Sequence, residues 1–158
     1  MLHKTALVTG ASGGIGAACA EILARQGCTV IAHANRGMDA VTALADRLNA
    51  EGCDVHPVQC DLSSSAAVSV LCEGLLRLYH RIDALVLNAG VSHTGLLFDM
   101  TDEEWHSVMD VNLSSMFYLC RALAPEMVSS RSGSIVTVSS IWGQVGASCE
   151  VAYSASKA

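Results

Sequence analysis

Thr5-Ala6-Leu7-Val8-Thr9-Gly10-Ala11-Ser12-Gly13-Gly14-Ile15-Gly16 is the stretch from which the rest of the chain is read. Thr5–Thr9 is a short β-rich run closed by glycine, the signature of a buried strand. Four glycines then fall within seven residues, and Ile15, Cys19, Ile22 and Leu23 recur at helical spacing up to Gly27. A strand that turns through glycines into a helix lets backbone approach an anion closely. The first N–H groups of the helix and its positive dipole end then face that anion. The spacing is Gly10, three residues, Gly14, one residue, Gly16, not the usual G-x-G-x-x-G. A ligand-free turn would also use glycine. Four of them between a strand and a helix favour a dinucleotide phosphate.

Outward from this turn, strands and helices alternate. Further strands are predicted at Cys28–His33, Val55–Cys60, Ile82–Leu87 and Ser134–Val138. Helices are predicted on Val41, Leu44, Ala45 and Leu48, and on Val68, Leu71, Cys72, Leu75 and Leu78. A long helix follows, carrying Trp105, Val108, Met109, Met116, Leu119 and Leu123, and a last one begins near Glu150. Thr101-Asp102-Glu103-Glu104 reads as a capping box opening the long helix. Crossovers that hold a helix imply parallel pairing, and continuously apolar strands imply a sheet covered on both faces. The expected fold is therefore α/β, a doubly wound parallel sheet in strand order 3-2-1-4-5, forming one dinucleotide-binding domain over residues 1–158.

Composition narrows the function classes. The chain has 158 residues, 51% apolar and 15% charged, which excludes a disordered tail. Its longest apolar run, Met116–Cys120, is far too short to span a membrane as a helix. Net charge is −6 and no stretch clusters Lys and Arg, so nucleic acid is not an expected partner. Seven scattered cysteines without a Cys-x-x-Cys, and six dispersed histidines, argue for reduced core cysteines and no metal site. No signal-peptide pattern follows Met1, so a cytoplasmic protein is expected.

Ligands of such sheets sit past the carboxyl ends of the strands. After the second strand, His33-Ala34-Asn35-Arg36 carries no acid for a ribose 2′-hydroxyl before Asp39. Arg36 can pair with a 2′-phosphate instead, which favours NADP over NAD; the plain alternative is a solvated arginine. Asp61 after the third strand is placed to accept from an adenine amino group while Leu62 packs the ring; a turn or cap aspartate is the equal alternative. Asn88-Ala89-Gly90 after the fourth strand leaves room for a flat cofactor, and Asn88 is placed to tie neighbouring loops together. Asn112, a poor helix former inside the long helix, either faces solvent or joins a polar network.

Ser139-Ser140 precedes Tyr153-Ser154-Ala155-Ser156-Lys157. Tyr153 and Lys157 are i and i+4 and share a helix face. A lysine beside a tyrosine hydroxyl favours the phenolate and lowers its pKa from about 10, which makes the tyrosine a better proton donor. Alone, such a pair is usually an exposed helix pair; downstream of a dinucleotide turn it reads as chemistry.

Together these residues resemble the short-chain dehydrogenase/reductase family over essentially the whole chain. The motifs are Thr9-Gly10-x-x-x-Gly14-Ile15-Gly16, Asp61-Leu62, Asn88-Ala89-Gly90, Asn112, Ser140 and Tyr153-x-x-x-Lys157. Within the family, the runs from Asn88 to Leu97 and from Asp102 to Ser115 look most like 3-oxoacyl-carrier-protein reductases.

The resemblance implies a cofactor held by Gly10, Ser12, Gly14, Ile15, Gly16, Arg36, Asp61, Leu62, Asn88, Ala89, Gly90, Tyr153 and Lys157. It implies hydride transfer from NADPH to a ketone, with Tyr153 as general acid and Ser140 orienting the carbonyl. Lys157 would assist the tyrosine and bind the nicotinamide ribose, and Asn112 would hold a water that re-protonates the lysine. Gly13, where NADP-using members often carry a basic residue, departs from the pattern.

The implied substrate is a ketone or an acyl thioester on an acidic carrier protein; Arg131 is placed to contact such a carrier, the commoner alternative being a solvated surface arginine. A sugar, steroid or other secondary-alcohol dehydrogenase is the alternative, and a non-catalytic dinucleotide sensor or scaffold the second. Family members continue past the Tyr-x-x-x-Lys motif through two more strands, a substrate lid and a dimer bundle. The chain thus reads as truncated, inactive on its own and homo-oligomeric at full length. Lys157 is expected to meet the carboxylate of Ala158.

Overall fold

The Thr5–Thr9 run is the middle strand, β1, of a five-stranded parallel sheet in the computed structural model, which describes residues 4–158. Its partners are β2 (Thr29–Ala34) on one side and β4 (Ala84–Leu87) on the other. β3 (Asp54–Gln59) lies outside β2 and β5 (Ser134–Thr137) outside β4, giving the expected order 3-2-1-4-5. The helices are α1 (Gly14–Arg25), α2 (Met38–Ala50), α3 (Ser65–Tyr79), α4 (Asp102–Met109), α5 (Ser115–Ser129), α6 (Trp142–Val145) and α7 (Val151–Lys157). A π-helical turn, Asp110–Ser114, joins α4 to α5. No helix among the described residues is long and apolar enough to cross a membrane.

Alternation along the strands divides the core. Leu7, Ile31, Leu85 and Leu87 face Val68, Cys72 and Leu75 of α3 and Leu119 and Leu123 of α5. Val8, Val30, Ala32 and Val86 face Ala20 and Ala24 of α1 and Val41, Ala45 and Leu48 of α2. The two buried cysteines, Cys60 and Cys72, are free thiols whose pKa burial pushes up, Cys72 to about 11.

Three expectations are corrected. The buried stripe of α1 is Gly16, Ala20 and Ala24, whereas Ile15 and Ile22 are more than half exposed. Only small side chains fit where this helix meets the sheet so closely. Leu78, assigned to the apolar face of α3, is 72% exposed near the helix end. β3 is not continuously apolar; Val55 alone is buried, and Pro57 and the polar residues suit an edge strand. β5, by contrast, is exposed at all four residues, as expected of an apolar strand at the open edge of the sheet.

Candidate functional site

The strand ends on the carboxyl edge of the sheet are tied to one another by side chains. The Thr9 hydroxyl accepts from the N–H groups of Asn88 and Ala89, both at 3.0 Å, and donates to the Val86 carbonyl at 3.3 Å. Asn88 Nδ2 donates to the carbonyls of Thr9 (3.0 Å) and Gly10 (3.2 Å), so it joins the loops as expected. On the other side, His33 Nδ1 accepts from the Gly10 N–H at 3.4 Å, and the His33 carbonyl accepts from Ala11 N–H at 2.8 Å.

Two glycines of the turn are required by this packing. Gly10 has φ 69°, and a Cβ there would lie 2.9 Å from Ala89 Cα. A Cβ on Gly16 would overlap the Gly10 carbonyl and come within 2.6 Å of Asn88 Nδ2. Gly13 and Gly14 face open space. Ser12, Gly14 and Ile15 are exposed at the mouth of the helix, whose first N–H groups lack intrahelical partners. Arg36 is exposed in the same loop as Gly37, where a Cβ would lie 3.2 Å from Ser12 Cβ, so this loop runs beside the mouth.

Asp61 is exposed, and its Oδ1 accepts from the N–H and hydroxyl of Ser63 at 3.0 and 2.7 Å. This is a turn aspartate, the alternative its place after β3 also allows, with Oδ2 unengaged. Leu62 departs from expectation. Its side chain is 3% exposed and belongs to the core beside Val68, so it offers no apolar face to a ring.

Gly90 leads from the dinucleotide turn to the second half of the edge. A Cβ on it would lie 3.3 Å from Asn112 Oδ1 and 3.4 Å from Lys157 Nζ. Asn112, fully buried in the π turn, belongs to a polar network. Its Oδ1 accepts from Val91 N–H at 2.8 Å, and its Nδ2 donates to the Val91 carbonyl and the Ser156 hydroxyl, both at 2.9 Å. Both amide hydrogens are therefore committed to protein, and a water on this side chain would have only Oδ1 to bind. The Ser156 hydroxyl in turn donates to the Tyr153 carbonyl at 2.8 Å. The π turn is what lets one side chain join the β4 loop to α7, and such turns recur at functional sites.

Lys157 is 6% exposed and its Nζ donates to the Val138 carbonyl at 2.8 Å, 6.0 Å from the centre of the Tyr153 ring. Burial lowers its pKa from the usual lysine range. The expected pairing with the Ala158 carboxylate is replaced by this bond to Val138. The Lys157 carbonyl accepts from the Ser139 hydroxyl at 2.6 Å, and Gly143 lets α6 press against that same carbonyl. Ser140 Oγ accepts from the Trp142 N–H at 3.2 Å and is half-buried. The loop after β4 also holds α7 from its start: Ser92 donates to Glu150 at 2.9 Å and Gly95 N–H to the Cys149 carbonyl at 2.8 Å.

The structure thus brings Gly10, Gly16, Asn88, Ala89, Gly90, Asn112 and Lys157 into one run of contacts along the carboxyl edge, with Tyr153 beside Lys157. His33 and Ser139 were not singled out from the sequence. A polar residue ending an apolar strand, and the first of two serines after another, were the signals available.

A family model described as short chain dehydrogenase matches residues 4–158. An uncharacterized oxidoreductase of Bacillus subtilis, YmfI, is 41% identical over 157 residues, covering 99% of this chain and 64% of its own length. The 3-oxoacyl-[acyl-carrier-protein] reductase FabG of Escherichia coli is 38% identical over 155 residues, covering 98% of this chain and 62% of its own. The chain therefore spans slightly under two thirds of these relatives. The crystal structure of a metagenomic short-chain oxidoreductase in complex with NADP superposes with a TM-score of 0.94 at 38% identity, covering 98% of this chain and 70% of that one.

Proposed function

This chain belongs to the short-chain dehydrogenase family, and on that premise we propose that the protein reduces a ketone with NADPH. The observation that carries the reading is the continuous run of contacts from the Gly10–Gly16 turn through Asn88 and Gly90 to Lys157. The residues fit a dinucleotide: the turn has room only for glycine where it meets Ala89 and Asn88, and open space at Gly13 and Gly14. Bound there, the cofactor supplies a hydride.

Gly14, Ile15 and Gly16 would hold the pyrophosphate through backbone N–H groups, with Ser12 at the mouth. Arg36 would pair with a 2′-phosphate, and the NADP in the metagenomic relative supports that choice. Asp61 would take the adenine through its unengaged oxygen. Ala89 and Gly90 would line the cofactor's path.

Tyr153 would give its proton to the carbonyl oxygen as general acid. Ser140 would hold the same oxygen by hydrogen bond. Lys157, a buried ammonium already fixed on Val138, would stabilise the ionised tyrosine and bind the ribose. Asn112 would position the pair, since it fastens Ser156, between Tyr153 and Lys157, to the β4 loop.

The proposed substrate is a 3-oxoacyl thioester on a carrier protein, supported by the reductases named FabG at 34–38% identity. Arg131, exposed in the loop entering β5, would meet an acidic carrier. The test is turnover by the intact protein of 3-oxoacyl thioesters against keto-sugars and steroids. Preference for the thioesters is expected. Preference for another ketone would replace the substrate, and cofactor binding without turnover of any ketone would leave a sensor.

A further inference from the structure

We propose that His33 is a positioning residue for the dinucleotide: its imidazole sets the Gly10–Ala11 turn against the ends of β2 and β3. The inference rests on the reading of that turn as the cofactor site. His33 stands opposite Thr9 of β1 and Val58 of β3 in the sheet register and is 2% exposed. Its Nε2 lies 3.0 Å from the Cys60 carbonyl. A carbonyl can only accept, so Nε2 carries the hydrogen, and the neutral ring presents Nδ1 as an acceptor. Nδ1 faces the Gly10 N–H, and the His33 carbonyl takes the Ala11 N–H. One residue thus engages two successive N–H groups of the turn. The free N–H groups of the helix mouth, Gly14 to Gly16, are left to point at the ligand.

The geometry requires a neutral ring. A proton on Nδ1 would set two donors face to face inside the protein. Burial holds the His33 pKa below the usual imidazole value, although the Cys60 carbonyl opposes this. Among the described residues, no carboxylate or ammonium engages the ring. Arg36 on its own loop is exposed, and the β1 turn carries no ionisable side chain. On the β3 side, the Cys60 thiol is pushed up by burial and Asp61 engages Ser63. Glu73 and Arg77, on the helix covering that face, are exposed.

The test is NADP+ binding by calorimetry to the intact protein from about pH 5 to pH 8, the range in which histidine titrates. His33→Asn places an amide oxygen near Nδ1, keeping the acceptor for Gly10 without titrating. Its affinity should stay within about threefold of the wild type at neutral pH. His33→Gln places its amide near Nε2, keeping the Cys60 bond and giving up the Gly10 acceptor. It should bind about tenfold more weakly at every pH, raising KM for NADPH with little change in kcat. The wild type should match the Asn variant at neutral pH and fall below it in acid; that ratio cancels any titration of the ligand. Gln binding as tightly as wild type, or a wild-type-to-Asn ratio that stays flat or rises in acid, overturns the proposal. A wild-type protein that binds no dinucleotide overturns the cofactor reading itself.

Discussion

Asn112→Ala removes three hydrogen bonds from a fully buried amide and should cost about 2–4 kcal/mol of stability. The figure follows from the partners. Each bond contributes about 1 kcal/mol net, and a buried partner left without one costs more. The Ser156 hydroxyl is buried and loses its donor outright, whereas Val91 is 41% exposed and its backbone regains some water. For a chain of this size, that corresponds to a fall in Tm of roughly 4–16 °C.

Denaturant titration should show a lower midpoint with an unchanged slope, because the surface exposed on unfolding is the same. Asn112→Asp sharpens the test. It keeps an acceptor for the Val91 N–H but faces the Val91 carbonyl with a carboxylate oxygen. Burial should raise that carboxyl's folded pKa, so this variant should regain stability relative to wild type as pH falls and the acid again donates. An Ala variant within about 0.5 kcal/mol of wild type, or an Asp variant that tracks wild type across pH, would refute the network's role.

Other outcomes follow from the same contacts. Gly16→Ala drives a Cβ into the Gly10 carbonyl and should cost about 1–3 kcal/mol and weaken NADP+ protection in thermal melts. Arg36→Asp should weaken NADPH and favour NADH, since it sets an acid against the 2′-phosphate; paired cofactor titrations check this. Wild-type stability should depend on His33. Its pKa is lower folded than unfolded, so its contribution is full above about pH 6.5 and is lost as pH falls through the folded value. Denaturation of His33→Asn beside wild type should show a smaller loss over that window.

The parallel order was legible because β1, β2 and β4 are short apolar runs separated by helical patterns, and length alone required crossovers. The capping box was legible because it is local: Glu104 N–H meets the Thr101 hydroxyl at 3.2 Å and Thr101 N–H meets Glu104 at 2.9 Å. What escaped depends on neighbours distant in sequence. Periodicity chose Ile15 and Ile22 for the face of α1 because they are large, but close approach to the sheet required the small residues. Leu62 follows an aspartate at a strand end, and nothing local says that its side chain turns to the core. On propensity alone, Asn112 is out of place in a helix. Its partners, 21 and 44 residues away, and the π turn that aims it were not visible. α6 spans four residues, too few for a period to register.

In the proposed reaction one edge of this sheet moves a hydride and a proton, the proton through Tyr153. The most direct measurement supplies the intact protein with NADPH deuterated at the transferable position and a 3-oxoacyl thioester, beside a Tyr153→Phe variant. Mass spectrometry then locates the label. Deuterium is expected on the new carbinol carbon with wild type, and a loss of transfer by about a hundredfold or more at saturating NADPH in the variant. Transfer that survives Tyr153→Phe undiminished, or a carbinol formed without the label, would contradict the proposed reaction.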